Sequence, residues 1–210
     1  SAVYYFLPQV LRDYHARYPR IRIKVHDASA NEVLSVVASG EADFGVNFIG
    51  NDEPGIEFRT IKEERFVAAC RKDHPLARGP LTLDDYCAAR HLLVSFSGRP
   101  FGFVDEALAA VSRQRRVVLT VNQFFTAGEV VATSDLLTVL PRHFIGGTGV
   151  AEELVWHPLP LDVPAVHVDA LWHRQHQSSS AHRWLREAVR RVAQNHRHAA
   201  PPAPTAQHPT

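Results

Sequence analysis

Methionine is absent from this 210-residue chain, cysteine occurs twice, and lysine only three times, at Lys24, Lys62 and Lys72. Two thiols, Cys70 and Cys87, are too few for a disulfide framework and lack the paired spacing of a zinc site, which leaves buried thiols in a reducing cytosol. No apolar run approaches the roughly 20 residues that a membrane span needs, and no charged-then-apolar leader is present. With no methionine and Ser1 as its first residue, the chain reads as an excised domain. An excess of positive charge is missing too. Lys and Arg number 23 against 22 Asp and Glu, a net charge of +1, unlike a domain whose main task is gripping phosphate backbones. No nucleophile elbow, Walker loop, glycine-rich dinucleotide loop or paired-carboxylate motif appears, so neither an enzyme nor a bound cofactor is expected. What is present is 45% apolar and 21% charged residues. That composition buries a real core in one large domain or two small lobes and excludes disorder for the bulk of the chain.

Along the chain, Phe6, Leu7, Val10, Leu11, Tyr14 and Tyr18 keep helical spacing until Pro19. Residues Arg20 to His26 then alternate polar and apolar, which predicts a strand with one wet face. Ser29-Ala30-Asn31-Glu32 is a capping box opening a helix that ends at Gly40. Ala42 to Ile49 reads as a buried strand, and strand, helix, strand predicts a parallel βαβ unit. Further strands fall near Ile56–Ile61, Arg65–Arg71, His91–Ser95, Val117–Val121, Leu136–Leu140, Val155–Leu159 and Val166–His173. Helices fall after Thr82, through Val104 and Leu108, from Thr126 to Thr133, and from about Ser180. The expected architecture is α/β with two lobes, each a mixed, mostly parallel sheet flanked by helices, and a cleft between them. Lobe I takes 1–71 with 174–198 and lobe II takes 72–173. Residues 199–210 form a Pro/Ala tail with nothing to bury, expected to be disordered.

Candidate contact residues follow from strand ends and helix starts, where open α/β sheets bind ligands. Ser97 and Gly98 lie in a strand-to-helix loop; they either cap a helix or hold an anion with backbone amides and a hydroxyl. Ser1, before the first helix, has the same two readings. Phe96, Phe101 and Phe124 cluster around lobe II loops, as core residues or as ring faces for an aromatic ligand. Asn47 and Phe48 end a buried lobe I strand, and Gln123 and Thr126 flank a strand-to-helix turn. His173 ends a strand where the lobes are expected to meet, either structural or in contact with ligand. The densest histidine groups, His173 with His176 and His182, and His196 with His198, lie across a Ser-rich loop and a helix end, a poor frame for a metal.

Several stretches together resemble the effector-binding domain of LysR-type transcriptional regulators over about residues 1 to 195. They are Tyr18-Pro19, Ser39-Gly40-Glu41-Ala42-Asp43-Phe44-Gly45 and Asp73-His74-Pro75-Leu76-Ala77. Val94-Ser95-Phe96-Ser97-Gly98, Val104-Asp105-Glu106-Ala107-Leu108 and Val131-Ala132-Thr133-Ser134-Asp135-Leu136-Leu137 are similar to the branch of nodulation and aromatic-degradation regulators. So are Leu140-Pro141-Arg142, Trp172-His173-Arg174 and Ala181-His182-Arg183-Trp184-Leu185-Arg186. The resemblance implies a fold like type 2 periplasmic binding proteins, a small aromatic or carboxylate effector in the cleft, and a cytoplasmic homodimer or homotetramer with no membrane partner. It also implies that DNA is bound only through an N-terminal winged helix-turn-helix absent from this chain. An extracytoplasmic solute-binding protein of a transport system shares the fold and is the alternative.

Overall fold

In the computed structural model the described residues are 7, 8, 10–12, 14, 17, 18, 20–26, 28–47, 53–96 and 98–195. The described residues from 7 to 17 are helical. The elements that follow are α1 (Ala30–Ala38), β1 (Gly45–Asn47), β2 (Ile56–Glu64), β3 (Phe66–Arg71), α2 (Leu83–Ala88) and β4 (Arg90–Val94). Then come α3 (Phe103–Ala110), β5 (Arg116–Val121), α4 (Phe124–Ala132), β6 (Leu136–Pro141), β7 (Leu154–Pro158), β8 (Val166–His173) and α5 (Ser180–Asn195). Helix starts behave as their side chains dictate. The Ser29 amide donates to Glu32 Oε2 at 2.8 Å, and the Asp85 amide donates to Thr82 Oγ1 at 3.1 Å, each satisfying a donor that the first helical turn leaves free.

The chain divides into two compact units. Unit one combines residues up to Glu64 with those from Val166. Its three-stranded sheet has the order β1-β8-β2 and is antiparallel throughout. β8 alternates between two cores, as a central strand must. Val168, Ala170 and Trp172 pack with Val189, Val192 and Ala193 of α5, while Leu171 packs with Val37 of α1 and Ile56. Gly45 is required where β1 crosses under α1, because a Cβ there would lie 2.7 Å from Val33 Cγ1 and 2.9 Å from Leu171 Cγ.

The expected parallel βαβ unit is not what forms. β1 pairs with β8, far along the chain, and residues 21–26 join no ladder among the described residues. Ile21, Ile23 and Val25 are exposed instead. Alternation reports which residues share a face; it does not say which strand comes alongside, and a strand from the other end of the chain takes the central place.

Unit two spans Arg65–Ala165 among the described residues. Its five strands run β5-β4-β6-β3-β7. β4 is parallel to β5 and β6, and β3 is antiparallel to β6 and β7. So only part of one sheet is parallel. Tyr86, Val104, Leu108, Leu137, Ala68 and Cys70 make its core, and burial pushes the Cys70 thiol up to about 11. The unit boundaries differ from the sequence division at 71/72 and 173/174. β3 is hydrogen-bonded into the unit two sheet and β8 into the unit one sheet, so the crossings fall at 64/65 and 165/166. Residues 199–210 lie outside the described residues.

Candidate functional site

The parallel run of β4, β5 and β6 puts their carboxyl ends on one edge of unit two. β3 is antiparallel to β6, with Phe66 opposite Pro141, so the residue entering the unit reaches the same edge. The Arg142 amide donates to the Arg65 carbonyl there, at 2.8 Å. Phenylalanines fill the edge from below. Phe66 meets Phe103 edge-on at 4.9 Å between centroids, Phe96 meets Phe124 at 5.3 Å and 82°, and Phe124 lies 5.3 Å from Phe144. Such edge-to-face pairs add to the area they bury. Phe124 and Phe144 are buried, Phe96 is half-buried, and Phe101 stands out at 49% exposure. Phe124 thus forms the floor of this ring cluster and Phe96 its rim, while Phe101 is not among these ring pairs.

Two helices begin near this edge, and they differ electrically. The loop after β4 leads to α3, which starts at Phe103 rather than directly after Gly98. Gly98 holds φ +71°, a left-handed turn residue. At the start of α3 the Gly102 amide donates to Asp105 Oδ2 at 2.7 Å. Asp105 is itself gripped by Arg115 through two bonds of 2.7 and 2.9 Å. Burial pushes the Asp105 carboxyl up, but the hydrogen bonds and charge of Arg115 outweigh it and hold the group below the usual carboxylate range. Arg115 also donates to the Tyr86 hydroxyl at 2.9 Å. This helix start is already supplied with an anion, its own. The start of α4 is not. Gln123 occupies the N-cap without a side-chain cap bond, its carbonyl accepts from Ala127 at 3.2 Å, and both Gln123 and Thr126 are exposed. No acidic residue stands in the first turn of α4, and a helix N-terminus favours negative charge.

Other expected contact residues fall in unit one. Asn47 is buried at the end of β1, in register with Asp169 of β8. Asp169, also buried, accepts from Thr60 Oγ1 at 2.7 Å. Sequence reasoning missed Asp169 and Thr60, although a lone carboxylate between Val168 and Ala170 in an apolar strand was a readable signal. His173 pairs with Ile56 at the end of β8 remote from the crossing at 165/166, about 23 Å along the strand at ~3.3 Å per residue. Its Nδ1 accepts from the Gln175 amide at 3.3 Å, capping a short turn. This position differs from the strand end near the crossing that the sequence reading gave it. Ser1, Phe48 and Ser97 lie outside the described residues, as do His196 and His198. Among the described residues no group of three or more His, Cys, Asp and Glu side chains is placed to hold a metal ion, and no helix is long and apolar enough to cross a membrane.

Residues 1–194 match the family described as the LysR substrate binding domain. The HTH-type transcriptional activator NahR of Pseudomonas putida is 28% identical over 185 residues, covering 88% of this chain and 62% of NahR. The chain thus spans less than two thirds of that relative's length. Among solved structures, the regulatory domain of MexT, a transcriptional activator in Pseudomonas aeruginosa, is 32% identical with a TM-score of 0.79, covering 91% of this chain and 95% of that one. The probable transcriptional regulator PA0477 from the same organism has a TM-score of 0.80 at 27% identity, covering 89% of this chain and 62% of its own. A family match along nearly the whole chain, on the two-sheet α/β fold of solved regulatory domains, makes this chain a member of the LysR substrate-binding-domain family, the type 2 periplasmic-binding-protein-like effector domain of LysR-type transcriptional regulators.

Proposed function

We propose that this domain senses a small aromatic carboxylate at the carboxyl edge of unit two, with the start of α4 receiving the acid group. The observation that carries this reading is the start of α4, with no side-chain cap from Gln123 and no acidic residue in its first turn, beside the Phe96–Phe124 pair. Backbone amides and the Thr126 hydroxyl supply hydrogen bonds to an anion, Gln123 stands at the rim, and Phe96 offers a half-buried ring. Gly98 supplies a left-handed turn in the loop after β4, and Phe101 supplies further apolar surface. The domain works as a sensor without catalysis, in the cytoplasm, as a homodimer or homotetramer whose DNA reader is an N-terminal winged helix-turn-helix. That NahR and MexT are transcriptional activators supports that reading over a transport protein. A ligand shifts a regulator only through unequal affinity for its two states, so the acid group must be better held in one of them.

Calorimetry with salicylate and salicylamide tests the site. The acid binds more tightly than the amide, and Gln123→Asp removes that preference by placing a carboxylate where the ligand's would sit. Loss of one charge-assisted hydrogen bond costs about 1.5–3 kcal/mol, roughly ten- to a hundredfold in affinity. The same substitution leaves thermal stability equal or higher, because Asp is a better N-cap than Gln. Equal affinity for acid and amide in the unsubstituted domain would sink the anion-site reading.

A further inference from the structure

The first turns of α5 carry a side-chain junction apart from the site proposed above. His182 is buried. Its Nε2 lies 2.6 Å from the carbonyl of Asp43, in the segment that leads into β1. Its Nδ1 lies 3.0 Å from a guanidinium nitrogen of Arg186, one turn further along α5. An arginine only donates, so Nδ1 must be the acceptor and Nε2 must carry the proton given to Asp43. Arg186 is itself tightly held: it donates to the carbonyls of His176 and Gln177 at 3.3 and 3.2 Å, and its guanidinium stacks 4.5 Å over Trp172 of β8. Trp172 Nε1 in turn donates to Gln177 Oε1 at 2.8 Å. The His176 ring lies parallel to His182 at 5.0 Å, and Phe44 meets it edge-on at 6.2 Å.

We propose that His182, Arg186 and the Asp43 carbonyl form a proton-released latch, which fastens the lead-in of β1 to α5 and lets go when the imidazole takes a second proton. A proton on Nδ1 would set N–H against N–H and positive charge against positive charge. The surroundings give that charge little help. From α5, Arg186 faces the ring; from the turn before α5, His176 does. Asp43, on the β1 lead-in, supplies a negative charge that favours protonation. Arg183 of α5 and Arg59 of β2 add further positive charge around Arg186. Burial, followed by the charges of Arg186 and His176, pushes the His182 pKa below its ordinary value against the Asp43 hydrogen bond and charge. The folded pKa therefore lies below the unfolded one of about 6.5, so the latch is fully closed above that pH and is lost as pH falls through the folded value.

Nitrogen-15 NMR of the imidazoles in the whole chain reads the latch directly. His182 is expected as the Nε2–H tautomer with a midpoint below 6.5, and Arg186→Met raises that midpoint. Amide exchange of residues 42–47, corrected for intrinsic pH dependence, is expected to speed up by roughly tenfold or more between pH 7.5 and the midpoint's acid side. His182→Gln provides the control, since its amide donates to Asp43 and accepts from Arg186 but does not titrate; in it the exchange stays flat with pH. An Nδ1–H tautomer, a midpoint at or above 6.5, an unchanged midpoint in Arg186→Met, or equal pH dependence in His182→Gln would each overturn the latch.

Discussion

His91 has no exposed surface at all. Its Nε2 lies 2.7 Å from the Tyr86 carbonyl, which fixes a proton there, and its Nδ1 has no hydrogen-bond partner. Burial, with the charge of Arg115, pushes the pKa down to about 4 against the Tyr86 hydrogen bond and the charge of Asp105. A depressed folded pKa means that His91 contributes stability fully above about 6.5 and that this contribution disappears as pH falls through about 4. Urea unfolding of the domain at pH 7 and at pH 4 is expected to show the loss, with a ceiling of roughly 3 kcal/mol from this residue. His91→Gln keeps the donor to Tyr86 without titrating and is expected to flatten the curve by part of that amount. His74 and His157, whose pKa values burial also lowers, still titrate in that variant. Identical slopes in the two proteins would place the acid lability elsewhere. Tyr86, pushed by burial up to about 12, holds its proton throughout this range.

At the scale of elements, α3 depends on one carboxylate. Asp105 closes the helix start and neutralises Arg115, whose side chain is 1% exposed. Asp105→Ala strips both at once and leaves a buried cation unpaired, so chemical denaturation is expected to show a loss of about 3–5 kcal/mol. The exposed pair Arg113–Asp84, close by in sequence, is the contrast: Asp84→Ala is expected to cost about 1 kcal/mol or less. A similar cost for both would mean that the Asp105 network is no more than a surface contact. The same elements show what was readable beforehand. Caps such as Thr82 and Ser29, and the apolar face of α5, are local chemistry and were legible from spacing alone. That Gly98 is a turn residue was legible; that α3 begins at Phe103 with its anion already in place was not, because Arg115 arrives from beyond the helix. Phe124 as floor and Phe96 as rim were distinguishable only once β4 and β6 lay side by side. Pairing of β1 with β8, rather than with residues 20–26, is likewise a long-range choice that periodicity does not encode.

At the scale of the molecule, two apolar rows stand exposed, one of them on a sheet edge. One is the row Ile21, Ile23 and Val25 in unit one, and the other is β5 in unit two, an end strand showing Val118 and Leu119. Open edges of this kind pair between copies unless they are blocked. Sedimentation of the domain is expected to show concentration-dependent association, weakened at least tenfold by Val25→Lys or Val118→Lys. A strict monomer at high concentration would refute that expectation. The order of the strands also governs how the chain comes to be folded as it is made. Among the described residues unit two is one unbroken stretch, whereas unit one is assembled from the segments that flank it in sequence. β1 and β2 do not touch through hydrogen bonds; both bond to β8, which is synthesised some hundred residues later. Joining ends so far apart costs about 4 kcal/mol of loop entropy for a flexible chain. An already folded insert shortens that loop, so on the ribosome the inserted unit acts as a clamp, and the unit one sheet can close only after β8 has been made.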